Sequence, residues 1–224
     1  MHLLRLVPLI CLLFLPFSSE TARAVSDGQA TAPGASLRAT LSRLEAQSSR
    51  LKTLKTDFVQ EKNLAAFRHT LTLRGRIFME RGGRLAWHVD EPVRYSVLIT
   101  DKVIRQWDEE TRQAREIPLS GNPMLRTALD QISVWFNGDY TAALKEYEVA
   151  LLQEKPVVIR FTPKPAALTA RVLQSIELRF RANEEYLEHI LILEAGGDST
   201  LIRFENTILN SPLKEADFEV ERRA

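Results

Sequence analysis

The sequence predicts an α+β fold: one large, strongly curved antiparallel sheet with helices packed on its concave, apolar face. Three observations predict it. Apolar residues alternate with a period of two through about ten segments, short turns join most of these segments, and two other segments repeat every three to four residues. Strands joined by short turns run antiparallel as neighbours, so the alternating segments form one sheet and the other two segments are helices on its face.

The first residues predict export. Arg5 precedes an apolar run from Leu6 to Leu15, and Ala22-Arg23-Ala24 offers an A-x-A cleavage site. The run is too short to span a bilayer, which takes about 20 residues. Residues 1–24 are therefore predicted to be a cleaved secretory signal peptide, which places the mature protein in the periplasm.

The mature chain offers neither thiol chemistry nor a charged surface for nucleic acid. The single cysteine, Cys11, and the charged residues Arg5, Glu20 and Arg23 all lie in the signal peptide, so the remainder has no cysteine and no net charge. Nucleic-acid binding calls for a clustered basic face, and we expect no such partner. About 200 residues suffice for one core, so we expect a flexible leader at 25–35 and a single domain at 36–224.

Two helices are predicted. Ser36 is the expected cap of the first, which runs to about Leu54 and carries one apolar stripe: Leu37, Leu41, Leu44, Ser48 and Leu51. Asn122 and Pro123 begin the second, and Asn137-Gly138 end it. Its apolar stripe is wide and comprises Met124, Leu125, Ala128, Leu129, Ile132, Trp135 and Phe136.

The strands are predicted from alternation and from turn residues. Turns are expected at Arg81-Gly82-Gly83, at Asp101-Lys102, at Asn183 and at Gly196-Gly197. The predicted strands are 67–80, 84–90, 95–99, 103–108, 112–117, 147–152, 157–162, 172–181, 186–194 and 200–206.

Catalytic and metal-binding patterns are missing from the mature sequence. Its three histidines, His69, His88 and His189, are far apart and are each expected on the surface of a strand. No H-x-x-x-H or C-x-x-C spacing suggests a zinc site, and no serine has the G-x-S-x-G context of a hydrolase. Asp57 and Glu61 are an ordinary carboxylate pair. We expect no enzyme, no metal and no cofactor.

Apolar residues are instead abundant where a concave sheet would line a cavity. They either line a ligand site or form a packed core, and composition alone favours the packed core. The candidate lining residues are Leu73, Ile77, Leu85, Trp87, Tyr95, Val97, Ile99 and Trp107 on the strands, with Met124, Leu125, Leu129 and Trp135 on the second helix.

A series of short motifs lies in order along nearly the whole mature chain. The motifs are Phe58-Val59-Gln60, Gly75-Arg76-Ile77-Phe78-Met79, Arg81-Gly82-Gly83-Arg84-Leu85-Ala86-Trp87-His88, Pro92, Ile99-Thr100-Asp101, Trp107, Phe161-Thr162-Pro163-Lys164 and Asp217-Phe218. In order and spacing, this series resembles the outer-membrane lipoprotein carrier family (LolA-like proteins). Two positions depart from the family pattern: Gly82 stands for a proline and Lys102 for a turn glycine.

The resemblance implies an incomplete antiparallel barrel closed by a helical lid, with lipoprotein acyl chains held between them. It makes 123–136 part of the lid and Arg81 the latch that bonds the lid shut. It also implies an inner-membrane releasing complex and an outer-membrane receptor as partners of a monomeric carrier. A carrier or sensor of another acylated lipid is the alternative, and a lipid hydrolase ranks last because no nucleophile constellation is present.

Overall fold

The computed structural model describes residues 34–66, 69–120 and 134–221. One α-helix, α1 (Ala35–Ser48), precedes the strands. The strands are β1 (Thr53–Asn63), β2 (Thr70–Glu80), β3 (Arg84–Glu91), β4 (Tyr95–Ile99), β5 (Val103–Asp108), β6 (Gln113–Pro118), β7 (Tyr147–Glu154), β8 (Val157–Pro163), β9 (Leu173–Phe180), β10 (Leu187–Glu194) and β11 (Ser199–Leu209). Three 3₁₀ turns lie at Ala142–Lys145, Leu168–Arg171 and Glu215–Phe218.

Several predicted features fall outside these ranges. They are the signal peptide at residues 1–24, nearly all of the leader at 25–35 and residues 121–133, which hold most of the second predicted helix. Residues 134–137 are helical, and the helix ends at Gly138, whose φ is +80°. This is the predicted end at Asn137-Gly138, since glycine adopts a positive φ without steric cost.

All described strands belong to one antiparallel sheet. Its order is β6-β5-β4-β3-β2-β1-β11-β10-β9-β8-β7. Strands that follow each other in sequence are paired in the sheet, except β6 and β7. Strand β1 pairs with both β2 and β11 and so joins the two ends of the domain. In the described ranges β6 and β7 have no pairing with each other, and the sheet is therefore an open, curved sheet rather than a closed barrel.

The sequence prediction missed β1. Helix α1 ends at Ser48, not near Leu54, and the chain is extended from Thr53 onward. The apolar alternation of β1 is hidden because buried polar residues, Thr56, Gln60 and Lys62, share a face with Leu54 and Phe58. The start of α1 also differs, since Gly34 occupies the cap position and Ser36 lies within the first turn.

One hydrophobic core fills the concave side. Helix α1 packs Leu37, Leu41 and Leu44 into the same cluster as residues from the strands on both sides of β1. Full burial of such a side chain stabilises the fold by about 1.5–3 kcal/mol, so α1 is held mainly by these leucines. No helix in the described ranges is long and apolar enough to cross a membrane.

The chain's last described segment covers part of the convex side. The Phe218 ring packs with Phe78 and Ala86, and the Arg84 guanidinium lies 3.9 Å from the centre of that ring. Arg84 also forms ion pairs of 2.9 Å with Glu80 and 2.6 Å with Glu215. We call the contacts of residues 213–218 with β2 and β3 the C-terminal clasp.

His88 lies beneath the clasp, so the expectation of a surface histidine is wrong there. It is 0% exposed because residues 215–218 fold across its face of the sheet. The ring nitrogen Nε2 lies 2.8 Å from the carbonyl oxygen of Asp217 and donates to it, since a carbonyl only accepts. Nδ1 lies 2.8 Å from Ser96 Oγ. His69 is exposed just before β2, and His189 is half-buried in β10.

Candidate functional site

The candidate site is the concave face of the sheet beneath α1 and residues 134–137. Most of the predicted lining residues meet there in one cluster, in which Tyr95 and Ile99 are partly buried and six others fully buried: Leu73, Ile77, Leu85, Trp87, Val97 and Trp135. Met124, Leu125 and Leu129 lie outside the described residues. Antiparallel pairing explains the convergence, because directly paired residues such as Ile77, Trp87 and Val97 point to the same side.

Trp107 does not belong to this face, contrary to the prediction. It pairs with Ser96, which pairs with His88, so all three side chains lie on the convex side. Strand β5 has apolar residues on both faces, and alternation within the strand alone does not decide which face is concave. The pairing of Ile104 with Ile99 decides it.

Aromatic contacts hold residues 134–137 against both halves of the sheet. The Phe136 ring lies 6.2 Å from Trp87 on β3 and 6.0 Å from Phe204 on β11, between ring centres. Trp135 reaches the other side, with its ring 4.8 Å from that of Phe161 on β8. These edge-to-face contacts each contribute about 0.5–1.5 kcal/mol beyond area burial, so Trp135 and Phe136 link the two halves of the open sheet.

The end of α1 is the meeting point of three segments, which we call the helix joint: Glu45, Ser48, Arg81, Gly138 and Thr141. Arg81 Nη1 donates a hydrogen bond of 2.7 Å to the carbonyl of Ser48. Glu45 Oε1 accepts a 2.6 Å bond from the backbone N–H of Thr141 and a second bond from the Thr141 hydroxyl. A Cβ atom at Gly138 would overlap the side chain of Ser48.

The resemblance implied that Arg81 bonds the lid, and its guanidinium bonds the last residue of α1, a helix that covers the sheet. Of the predicted lid segment 123–136, only residues 134–136 lie within the described ranges. The C-terminal carbonyls of a helix lack partners within the helix, and a cationic donor is well suited to them.

Polar atoms are buried on the same concave face, and sequence reasoning missed them. Lys62 Nζ lies 3.0 Å from Glu194 Oε1, with both side chains less than 10% exposed. Burial raises the pKa of the Glu194 carboxyl, and the bond from Lys62 opposes that rise. The buried amide of Gln60 has no hydrogen-bond partner. The sequence marked Gln60 only as part of the Phe58-Val59-Gln60 motif, which does not reveal burial.

A separate open groove of about 580 Å³ lies beside the C-terminal end of α1. None of the predicted lining residues contributes to it; it is lined by Gln47, Arg50, Leu51, Glu185, Thr207, Ile208, Leu209 and Asn210. In the described part of the chain, no three histidine, cysteine or acidic residues are grouped as metal ligands.

Comparison with known proteins identifies the family. A model of the family described as "Outer membrane lipoprotein carrier protein LolA" matches residues 49–221. The chain belongs to this family. The match confirms the resemblance seen in the motifs, and the LolA family is one of carriers, which bind cargo without transforming it.

Individual relatives of this LolA-family chain are distant. The outer-membrane lipoprotein carrier protein of Coxiella burnetii is 22% identical over 152 residues, which cover 65% of this chain and 65% of that protein. Among solved structures, MucB has a TM-score of 0.51 at 16% identity, covering 84% of this chain and 64% of MucB. An uncharacterized conserved protein from Thermus thermophilus has a TM-score of 0.50 at 11% identity, covering 84% of this chain and 94% of that protein. These structures show a shared fold.

Proposed function

We propose that this protein is a periplasmic, non-enzymatic carrier that holds lipoprotein acyl chains and moves them from the inner to the outer membrane. The observation that carries the proposal is the apolar concave face, covered by α1 and residues 134–137, in a chain of the LolA family. Acyl chains would enter between the sheet and these covering elements. The candidate lining residues other than Trp107 remain the proposed contacts.

The energetics suit a carrier with a removable cover. Exposing an acyl chain to water costs about 0.8 kcal/mol of free energy per CH₂, or on the order of 12 kcal/mol for 16 carbons. Acyl contacts replace the contacts of Trp135 and Phe136 with the sheet, so the net cost of opening is smaller than the loss of those contacts. The Arg81–Ser48 bond favours the closed arrangement and so favours release at the receptor.

Export and partners complete the proposal. Cleavage after Ala24 delivers the protein to the periplasm, where an inner-membrane complex hands over the cargo and an outer-membrane receptor takes it. The carrier acts as a monomer, since it must meet each partner in turn. N-terminal sequencing of the exported protein tests the first step, and a chain that begins at Met1 contradicts it.

The position of the cargo is tested with the three tryptophans as internal reporters. Three single-tryptophan variants each keep one of Trp87, Trp107 and Trp135, with phenylalanine at the other two. Acyl chains that carry bromine quench a nearby indole on contact. We expect strong quenching of Trp87 and Trp135 and none of Trp107, which lies on the convex side. Equal quenching of all three, or none, contradicts binding at the concave face.

The identity of the cargo is tested by native mass spectrometry of protein purified from its own periplasm. We expect a bound species with the mass of a lipoprotein. A preparation that contains only another lipid overturns the lipoprotein assignment while leaving a lipid carrier.

A further inference from the structure

The concave face contains unpartnered polar atoms within its apolar surroundings. In the described part of the structure, six buried side-chain atoms carried by the strands of this face have no hydrogen-bond partner: Gln60 Oε1 and Nε2, Trp87 Nε1, Tyr95 Oη, Gln106 Nε2 and Thr200 Oγ1. Trp135 Nε1 and Tyr186 Oη, which belong to the same cluster outside the strands, have none either. Of the six on the strands, Gln60 Oε1 alone is purely an acceptor; the other five can donate. Buried polar groups are normally hydrogen-bonded, so such a group of donors is a favourable place for an acceptor to bind.

Three of these donors surround one residue. Trp87 on β3 and Gln106 on β5 pair with Val97 on β4 from opposite sides, and Tyr95 lies two positions along β4 on the same face. With strands about 4.8 Å apart, Trp87 and Gln106 are separated by about 10 Å at the backbone, and they flank Val97 on the concave face. Val97 itself is 0% exposed. We call Trp87, Tyr95 and Gln106 the donor trio.

We propose that the donor trio is a subsite for the ester carbonyls of the cargo, so that this carrier recognises ester-linked acyl chains and not hydrocarbon alone. An ester carbonyl is an acceptor without a donor, and it lies at the head of an acyl chain whose remaining length is apolar. This matches a donor set at one place on an apolar face. The inference rests on the proposed function, since it concerns the same site.

The burial of the donor trio supports the assignment. Burial without a partner raises the pKa of the Tyr95 hydroxyl well above its usual value, because the phenolate is denied solvation there. The same lack of partners leaves Trp87 and Gln106 unsatisfied in the closed arrangement. The two ester carbonyls of a diacylated cargo would give these donors acceptors, so their contribution to binding is larger than that of a carbonyl that merely exchanges water for protein.

The test compares two lipids that differ only in their carbonyls. Phosphatidylglycerol with two ester-linked 16-carbon chains and its diether analogue have the same head and nearly the same apolar surface. Binding to the delipidated exported protein is measured by displacement of a fluorescent fatty acid. We expect the ester to bind at least about tenfold more tightly, which corresponds to one to two hydrogen bonds. The same comparison with a diacylated lipopeptide and its ether analogue shows which source of ester the site prefers.

Variants assign the effect to the trio. Tyr95→Phe and Gln106→Met remove donors with little change in volume, and each should lower the affinity for the ester severalfold more than the affinity for the ether. Trp107→Phe, on the convex side, is the matched control and should keep the full preference. Equal binding of ester and ether overturns this inference and leaves the carrier function intact. An ester preference that survives both trio variants overturns the location. Failure of every lipid to bind contradicts the carrier function itself.

Discussion

The guanidinium of Arg81, in the turn between β2 and β3, donates a 2.7 Å hydrogen bond to the carbonyl of Ser48, the last residue of α1. The bond joins the strand side of the molecule to the helix that covers it. Together with the 2.8 Å ion pair between Arg43 of α1 and Glu184 in the turn before β10, this bond adds polar contacts to the leucines that α1 packs against the sheet.

Replacing Arg81 with leucine should therefore loosen the end of α1 without unfolding the domain. We expect the free energy of unfolding to fall by about 1–2 kcal/mol, the range for a hydrogen bond with a charged donor that is partly exposed. Amide hydrogen exchange should accelerate in the last turn of α1. Lipid should still bind, while its onward transfer should slow because the closed arrangement is less favoured.

Arg50→Leu is the matched control, since Arg50 is exposed two residues after Ser48. It should change stability by less than about 0.5 kcal/mol. If the two variants behave alike in exchange and transfer, Arg81 is only a surface charge.

Gly138 should tolerate no side chain. Its φ of +80° costs an L-residue about 1–2 kcal/mol, and an added Cβ would also overlap Ser48. We expect Gly138→Ala to lower the free energy of unfolding by about 3 kcal/mol, measured by chemical denaturation. Gly82→Ala separates the two effects, because Gly82 has a φ of +71° with no atom within 4 Å. Gly82→Ala should lower the free energy of unfolding by only about 1 kcal/mol. Equal losses in both variants would show that Ser48 moves away from the added Cβ at position 138 without cost.

The C-terminal clasp should contribute substantially to stability. Phe218 is 2% exposed against Phe78 and Ala86, so Phe218→Ala removes a buried ring and should cost about 3 kcal/mol, measured by thermal or denaturant unfolding. Leu168→Ala is the control, since Leu168 is 72% exposed and should have almost no effect. A loss below about 0.5 kcal/mol for Phe218→Ala would mean that the clasp does not persist in solution.

Two carboxyl groups should shift the pH dependence of stability in opposite directions. The bond from Arg203 lowers the pKa of Glu61 below its usual 4.5, so its contribution is present above that pH and is lost as the pH falls through the lowered value. Burial raises the pKa of Glu194 above 4.5, so the folded state binds this proton more tightly and stability falls as the pH rises through the interval above 4.5.

Denaturation of Glu61→Gln and Glu194→Gln between about pH 3 and pH 7 measures both slopes. The deficit of Glu61→Gln relative to the parent should shrink in acid. The stability deficit of Glu194→Gln relative to the parent should shrink as the pH rises. Loss of the ion pair with Lys62 adds to the size of this deficit but does not change the direction of the trend. Parallel curves for the two variants would contradict the assigned directions.

The sequence predicted ten of the eleven described strands because alternation and turn glycines are local signals. It missed β1, where Gln60 and Lys62 interrupt the apolar face, and it made α1 too long because Leu51 and Leu54 continue the helical spacing. Burial of His88 depends on residues 215–218, which are distant in sequence and carry no local signal at β3.

Part of the site was predictable because strand alternation is a local signal. Leu73, Ile77, Trp87 and Val97 are placed by strand alternation alone, whereas Trp107 needed the pairing of β4 with β5. The unpartnered donors were beyond sequence reasoning, since a polar residue in a strand is ordinarily interpreted as facing solvent. Whether it lacks a partner is a property of the packed interior.

The pairing of β1 with β11 also has a kinetic consequence. Strands β1 to β6 and β7 to β11 form two meanders of sequential neighbours, whose contacts close short loops. The pairing of β1 with β11, which we call the seam, instead places Leu54 opposite Leu209. Contacts between distant residues are costly to form first, because the chain must lose the entropy of the whole intervening loop. The two meanders are therefore expected to condense early and the seam to form near the rate-limiting step. A destabilising change in the seam should slow refolding, while one within a meander should mainly speed unfolding.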